Sequence, residues 1–278
     1  MLDSRIAAER MRTVKILGVI EETPTVKSFT FQDRLCAKAK PGQFIMIWIP
    51  GVDEIPMSLS ALNPDEARAA ITVEKVGEAT SALHKMKDED TIGVRGPFGN
   101  GYEIVKACNV MIVGGGTGLA SLVPLVERLV EDKLKITFLM GAKSLCDLLF
   151  LNRINQLFSR SSSRIIAATE DGSYGIRGLV TEPMEKMLGQ GGKFDVIYAC
   201  GPELMMYKIF LLSEKFNVPL QVSLERFMRC AIGICGTCVI GKYRVCQDGP
   251  IFSSLQLREV KVEFGHFRIG LNGRKTSV

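Results

Sequence analysis

Four cysteines crowd into one short stretch, Cys230-Ala231-Ile232-Gly233-Ile234-Cys235-Gly236-Thr237-Cys238 with Cys246 beyond it, separated by four, two and seven residues. Nothing else in the chain restricts its folding as much, because a thiolate-held group is bulky and the backbone has to wrap it in an open loop. Gly233 and Gly236 lie between the sulfurs, where positive φ turns backbone N–H groups toward them. Ala231 and Thr237 are small, as such a loop requires. The first two spacings equal those of the plant-type ferredoxin run. A structural zinc site also takes four thiolates, usually as two Cys-x-x-Cys knuckles, and this segment has one such pair. Disulfides suit a small secreted domain, which a chain of 278 residues is not. A two-iron cluster is the favoured reading, with zinc as the alternative.

The remaining length accommodates two or three compact units. From Thr13 to about Gly101 the pattern is β-rich. Segments 15–20, 26–31, 44–49, 71–76 and 91–95 read as strands, with turn signals such as Lys40-Pro41-Gly42 between them, and predict a small antiparallel barrel. One helix, Ala79 to Met86, interrupts it. After Tyr102, apolar strands at 110–113, 135–140, 164–169 and 195–200 alternate with amphipathic helices, which predicts a parallel, doubly wound sheet. The expected fold is therefore multidomain α+β: an antiparallel β-barrel over 11–102, an α/β parallel-sheet nucleotide domain over 103–220, and a small C-terminal iron–sulfur domain with its tail over 221–278. The polar first ten residues read as a disordered tail.

Composition narrows the function classes. The formal charge of +5 is spread along the chain, and no basic face interleaved with aromatics is legible, so nucleic acid is a poor partner. The longest apolar stretch, near Val110 to Val126, is broken by five residues, Gly114, Gly115, Gly116, Gly118 and Pro124, and does not read as a membrane span. The start of the chain lacks the apolar segment of a secretory signal. Of the eight cysteines, Cys36, Cys108, Cys146 and Cys200 are scattered, consistent with free thiols in a reducing cytoplasm.

Gly114-Gly115-Gly116-Thr117-Gly118 follows a buried strand and opens a helix, where N-terminal N–H groups are offered to phosphate. It is not a strict Gly-x-Gly-x-x-Gly, and close packing alone is the competing reading. Cys200-Gly201-Pro202 ends another parallel strand at the same carboxyl edge, where open α/β sheets bind ligands. In the barrel, Pro56-Met57-Ser58, Val73-Glu74-Lys75 and the helix start at Ala79-Thr80 are each weak signals. Gly141-Ala142-Lys143-Ser144 carries one cation for a 2′-phosphate, or a solvated lysine. His84 and His266 are the only histidines, and neither pairs legibly with a carboxylate. Catalysis is expected from cofactors.

Taken together, the barrel with Pro-x-Ser, the glycine-rich domain with Cys-Gly-Pro and the Cys-x4-Cys-x2-Cys…Cys-x-Asp-Gly-Pro segment resemble the ferredoxin-reductase superfamily. The closest branch is the electron-transfer subunits of class 1B dihydroorotate dehydrogenases, the PyrK family. The similarity runs in order from about Lys15 to Phe252. It is most specific in Leu224-Glu225-Arg226-Phe227-Met228-Arg229-Cys230 and Cys246-Gln247-Asp248-Gly249-Pro250-Ile251-Phe252. Segments 95–101 and 170–175 are also similar.

The resemblance implies FAD on the barrel, with Pro56, Met57, Ser58, Val73, Glu74 and Lys75 along the flavin and Ala79 and Thr80 at its pyrophosphate. It implies a [2Fe-2S] cluster on Cys230, Cys235, Cys238 and Cys246. It also implies NAD over Gly114, Gly115, Gly116, Thr117, Gly118, Cys200, Gly201 and Pro202, with Cys200 near the nicotinamide or simply buried. The family usually has arginine before Pro-x-Ser, and this chain has Ile55, so Lys75 or helix N–H groups would take over the pairing with flavin phosphate. The implied activity is that of an oxidoreductase in pyrimidine (UMP) biosynthesis. Electrons pass from the FMN of a catalytic partner subunit through the cluster and FAD to NAD⁺, in a cytoplasmic heterotetramer of two copies of each subunit. Two alternatives stand beside it: a flavin and iron–sulfur subunit of a cytosolic hydrogenase or NADPH:ferredoxin oxidoreductase, and a zinc-stabilised, non-catalytic binding module.

Overall fold

The computed structural model describes residues 2–106, 109–270 and 273–278. Six antiparallel strands close a barrel in the order β1 (Arg12–Thr23), β2 (Val26–Gln32), β5 (Arg68–Glu74), β4 (Asp53–Asn63), β3 (Phe44–Ile49) and β6 (Thr91–Phe98). Alternation along each strand sends one set of side chains inward. Ile16, Phe29, Phe31, Ile45, Ile47 and Ile71 fill the interior with no exposed surface.

Five strands of this barrel match sequence expectation, with β5 displaced toward its N-terminus. The sixth, β4, lies outside the expected segments, and Pro56 within it lacks a ladder N–H, which disfavours a strand interior. The register explains why it is tolerated. Residues from Asp53 to Ser58 pair with β3, whereas pairing of β4 with β5 begins only at Leu59. Pro56 thus sits where the sheet has parted on one side.

The first ten residues correct the expectation of a disordered tail: α1 (Leu2–Glu9) is a helix lying against β6. Arg12 holds its end, donating from Nη1 to the carbonyl of Ala7 at 3.0 Å and from Nη2 to that of Gly96 at 2.8 Å. Two short helices complete the unit. Asp33 caps α2 (Arg34–Ala37), and α3 (Glu78–Leu83) is shorter than the helix expected to reach Met86.

The second unit alternates strands and helices: β7 (Asn109–Gly115), α4 (Gly118–Glu131), β8 (Lys135–Ala142), α5 (Leu151–Phe158), β9 (Arg164–Thr169), β10 (Ile176–Arg177), α6 (Thr181–Gly189), β11 (Val196–Cys200), α7 (Glu203–Phe216) and β12 (Leu220–Ser223). These strands are all parallel, in the order β10-β9-β8-β7-β11-β12. Chain progression reverses between β7 and β11, which makes their carboxyl ends the switch-point crevice of the sheet.

The cysteine segment carries β13 (Val239–Ile240), β14 (Tyr243–Arg244), α8 (Val245–Asp248), β15 (Ile251–Ser253) and α9 (Ser254–Glu259). A hairpin of β16 (Phe267–Ile269) and β17 (Lys275–Ser277) follows. β15 joins the seven-stranded sheet antiparallel to β12, so the cysteine segment is built onto the nucleotide unit's own edge. Cys238, Cys246 and Phe252 share a buried cluster with Met111, Ile197 and Val222 of the sheet. Among the described residues no helix is long and apolar enough to cross a membrane.

Candidate functional site

The parting of β4 from β5 opens a cavity of about 350 Å³ between the barrel and the sheet. Pro56, Met57 and Ser58 line it from β4, Val73 and Glu74 from β5, and Thr80 from α3. Lys75 and Ala79 are outside its lining. Lys75 is exposed, with its amide donating to Thr25, and Ala79 packs toward the barrel core. Thr80 Oγ1 accepts the amides of Val76 and Gly77 at 3.0 and 2.9 Å, so those N–H groups are already engaged. Ile55 packs against the barrel core rather than the cavity.

Across the crevice, Gly115, Gly116, Thr117 and Gly118 line a larger cavity of about 850 Å³ with Gly201 and Pro202. Thr117 and Glu74 line both cavities, which therefore lie side by side. The two strand ends are in register, with Cys200 paired to Gly114. A Cβ on Gly118 would lie 2.5–2.6 Å from Gly201 N and the carbonyl of Cys200, so only glycine allows this approach. Gly116, at φ +54°, has nothing within 4 Å of where a Cβ would be. It leaves an open turn at the start of α4, where the helix dipole and free N–H groups favour an anion. Gly114 lies behind the turn, against Leu119 and Leu122.

Cys200 is buried just behind the cavities. Burial pushes its thiol up to about 12, against hydrogen bonds with Ser121 and Ser223, two residues that line the smaller cavity. At neutral pH it is an uncharged thiol.

Two residues outside the expected site join the smaller cavity. Arg226 has a side chain only 2 % exposed and makes a bidentate pair with Glu203 at 2.7 and 2.8 Å. Its Nη1 also donates to the carbonyl of Glu225, which leaves Nε as a buried donor with no partner. Glu225 lines both cavities. Although it is open to the cavity, the surrounding protein pushes its carboxyl up, opposed by Arg268 and reinforced by Glu74. Both residues belong to the 224–230 segment that carried the family resemblance, but no local pattern shows that they reach the cavity.

Cys230, Cys235 and Cys238 lie in a loop without regular structure from 224 to 238, and Cys246 follows in α8. Ala231, Gly233 and Gly236 take φ of 61°, 78° and 73°, turning the amides of Ile234 and Cys235 to 3.4 and 3.5 Å from Cys230 Sγ. Cys246 N reaches Cys238 Sγ at 3.4 Å. Burial would raise Cys235, but its hydrogen bonds with Thr237 and Cys230 bring it down to about 6. Hydrogen bonding with Cys246 brings Cys238 down to about 7, and the same contact raises Cys246. Among the described residues, no three Cys, His, Asp or Glu side chains converge on a single point where a metal ion would bind. The donor set itself, soft thiolates with backbone N–H groups turned to sulfur, matches an iron–sulfur cluster. Cys36, Cys146 and Cys200 are free thiols away from this loop, and Cys108 lies outside the described residues.

The closing segment is locked to the barrel. Asn100 exchanges hydrogen bonds with Ile251 at 3.0 and 2.9 Å and donates its amide to Gly249 at 2.7 Å. A Cβ on Gly99 would meet Gly249 O and Pro250 Cδ at 2.6 Å. This fit explains why the 95–101 and 246–252 segments carry specific residues.

Comparison with known proteins agrees with this architecture. Residues 225–258 match the family described as the iron–sulfur cluster binding domain of dihydroorotate dehydrogenase B. Residues 112–209 match the oxidoreductase NAD-binding domain. The structure of an NADH-dependent reduced ferredoxin-NADP oxidoreductase, reported for flavin-based electron bifurcation, superposes with a TM-score of 0.80 at 32 % identity, covering 91 % of this chain and 92 % of that one. The cytochrome b5 reductase domain of Ulva prolifera nitrate reductase shares the fold at 16 % identity and a TM-score of 0.64, over 76 % of this chain and 94 % of that one. A protein of Methanocella arvoryzae is 40 % identical over 95 % of this chain and 97 % of its own length. One of Methanocaldococcus jannaschii, named "Probable dihydroorotate dehydrogenase B (NAD(+)), electron transfer subunit", as is the Methanocella protein, is 41 % identical over 94 % of this chain and 96 % of its own length. With near-complete coverage in both directions, and the cysteine loop and nucleotide crevice matched separately, the chain belongs to the family of dihydroorotate dehydrogenase B electron transfer subunits.

Proposed function

We propose that this chain is the electron-transfer subunit of an NAD-dependent dihydroorotate dehydrogenase, working in cytoplasmic pyrimidine biosynthesis. Its partner is an FMN-bearing catalytic subunit, in an assembly of two copies of each. The observation that carries this reading is that the two cavities share Thr117, Glu74 and Glu225 in their linings, with Cys230, the first thiol, five residues beyond Glu225. The names of the relatives, electron transfer subunits of dihydroorotate dehydrogenase B, support this reaction and a catalytic partner.

FAD is assigned to the smaller cavity, against Pro56, Met57, Ser58, Val73, Glu74 and Thr80, with Lys75 and Ala79 at its margin. The unpartnered Nε of Arg226 supports this, because a buried donor calls for an acceptor in whatever fills the cavity. NAD is assigned to the larger cavity, over Gly115 to Gly118 and Gly201-Pro202, with Gly114 and Cys200 as the floor behind them. The [2Fe-2S] cluster is assigned to Cys230, Cys235, Cys238 and Cys246. When bound, a flavin exchanges a hydride with nicotinamide and single electrons with an iron–sulfur cluster, so it belongs between the two. The chain's own residues orient and enclose. The uncharged Cys200 thiol fills space beneath the junction, and the Arg226–Glu203 pair ties the cysteine segment to the first residue of α7. The units 11–102, 103–220 and 221–278 then correspond to the three groups, the last built onto the sheet of the second. Ile234, 78 % exposed at the tip of the cysteine loop, supports docking of the partner there.

The test is an absorption spectrum of anaerobically purified protein, with iron, zinc and flavin quantified, followed by NAD⁺ reduction by dihydroorotate after mixing with the catalytic subunit. Flavin bands with about two irons per chain and NADH formation support the reading. A colourless zinc protein refutes it. The ferredoxin-NADP oxidoreductase likeness supports a second reading, a subunit of a ferredoxin-coupled oxidoreductase. NADPH-dependent ferredoxin reduction, without turnover of dihydroorotate, would replace the first reading with this one.

A further inference from the structure

The last twenty residues lie beyond both matched family regions, yet they reach the larger cavity. Phe264, fully buried, packs with Tyr207 and Phe210 of α7 at ring distances of 5.7 and 6.0 Å. Gly265 N donates to Glu203 Oε1 at 3.0 Å, and His266 Nε2 lies 3.3 Å from Tyr207 Oη. Gly265 has φ +75°, and a Cβ there would run into the Tyr207 side chain, so the turn into the hairpin is fixed against the helix that follows Cys-Gly-Pro. In the hairpin Phe267 pairs with Ser277, Arg268 with Thr276 and Ile269 with Lys275. Side chains alternate between faces. Lys275 stands 4.2 Å over the Phe267 ring on one face, and Arg268 projects from the other, into the lining of the larger cavity.

Charge makes that placement matter. Among the described residues, the cavity is lined by Glu74, Asp147, Glu170, Glu182, Glu203 and Glu225, against Lys143, Lys208 and Arg268. Lys208 already faces Glu185 at 3.8 Å. A dinucleotide carrying two phosphate charges meets mostly carboxylates here, and helix N–H groups supply only partial positive charge. Arg268 is close enough to Glu225 for their charges to interact, at the junction of the two cavities, and a guanidinium matches phosphate oxygens in planar, bidentate fashion.

We infer that Arg268, delivered by the C-terminal hairpin, is a phosphate-binding residue of the nucleotide site and holds the pyrophosphate of a nicotinamide dinucleotide against the Gly115–Gly118 turn. This rests on the nucleotide reading of the larger cavity given above. Its test is calorimetric titration of NADH and of ADP-ribose into the cofactor-loaded full-length protein, and into its Arg268→Ala and Arg268→Lys variants. Arg268 is exposed, so both variants should keep wild-type circular dichroism and flavin content. Arg268→Ala is expected to weaken both ligands about tenfold, the scale of one charge-assisted hydrogen bond, with Arg268→Lys recovering part of the loss. Wild-type affinity in Arg268→Ala overturns the role of Arg268 and leaves the nucleotide site standing. A loss confined to NADH overturns the pyrophosphate assignment, because ADP-ribose keeps that group. A wild-type protein that binds neither ligand overturns the nucleotide reading as well.

Discussion

The crevice and the cysteine loop are built in opposite ways. The crevice is walled by the middle of β4, which is paired with β3 there, and by the ends of β5, β7 and β11, so its shape exists before any ligand arrives. The cysteine loop from 224 to 238 has no ladder and no helix, and it ends in an exposed tip. It is held at its two ends, where Leu224 N donates to Pro250 O and Val245 N to Cys238 O, and by the Arg226–Glu203 pair. Around the sulfurs the polar contacts are amides turned to sulfur and Arg244, which reaches Gly233 O at 3.0 Å. Two of its thiols are tuned toward the thiolate, the form that ligates a metal group, and its cysteines lie in the matched iron–sulfur cluster binding region. A strand-end site is preorganised by the fold, whereas a thiolate loop is organised by what it binds. The two are joined at Glu203, which holds both Arg226, near the start of the loop, and Gly265, just before the C-terminal hairpin.

The contrast can be broken at its strongest point by Cys246→Ser. Iron should fall from about two per chain to background while flavin content stays at the wild-type level. Metal and flavin analysis of one sample checks this, and joint loss of both would mean that the crevice also depends on the cluster. Glu203→Leu attacks the joint. Stranding the buried Arg226 charge should destabilise the protein by about 3–5 kcal/mol, measured by denaturant unfolding, with both flavin and iron retention reduced. Gly118→Ala should act on the crevice alone. The new methyl group, pressed on the Cys200–Gly201 peptide, should cost about 1–3 kcal/mol and weaken NADH binding, with iron content unchanged.

Acid sharpens the comparison most gently. Burial alone would raise the Asp33 carboxyl, but Arg12, at 2.6 Å, and the Cys36 amide hold it below its ordinary value of 3.8. A lowered folded value means that this stabilisation is fully present above the ordinary value and is lost as pH falls through the lowered one. Asp33→Asn should therefore be less stable than wild type by about 1–3 kcal/mol at neutral pH, and the difference should shrink below pH 3.8. Because Arg12 also ties α1 to Gly96, the barrel rather than the cysteine loop should loosen first. Hydrogen exchange across the pH range would show which does.

Much of this architecture is local and therefore legible. β3 and β9 occupy the segments that their apolar patterns predict, the glycine turn sits at the predicted strand–helix junction, and Cys230, Cys235 and Cys238 share one loop, with Cys246 beyond it in α8. Pro56 disfavours β4 as a strand, because a missing N–H marks a strand break unless the neighbouring strand has parted, and only the pairing of β4 with β3 and β5 reveals that. The first ten residues lack an apolar face strong enough to announce a helix, and α1 takes its place against β6 with help from Arg12. Glu225, Arg226 and Arg268 are ordinary charged residues in the sequence. They meet at the cavities because β12, the loop after it and the C-terminal hairpin all return to the ends of β7 and β11. By itself the sequence determined the glycine turns and singled out the candidate thiol donors, because thiol spacing and glycine conformation act over a few residues. Which charges face the bound groups was decided by tertiary structure alone, because that depends on residues more than a hundred positions apart arriving at one crevice.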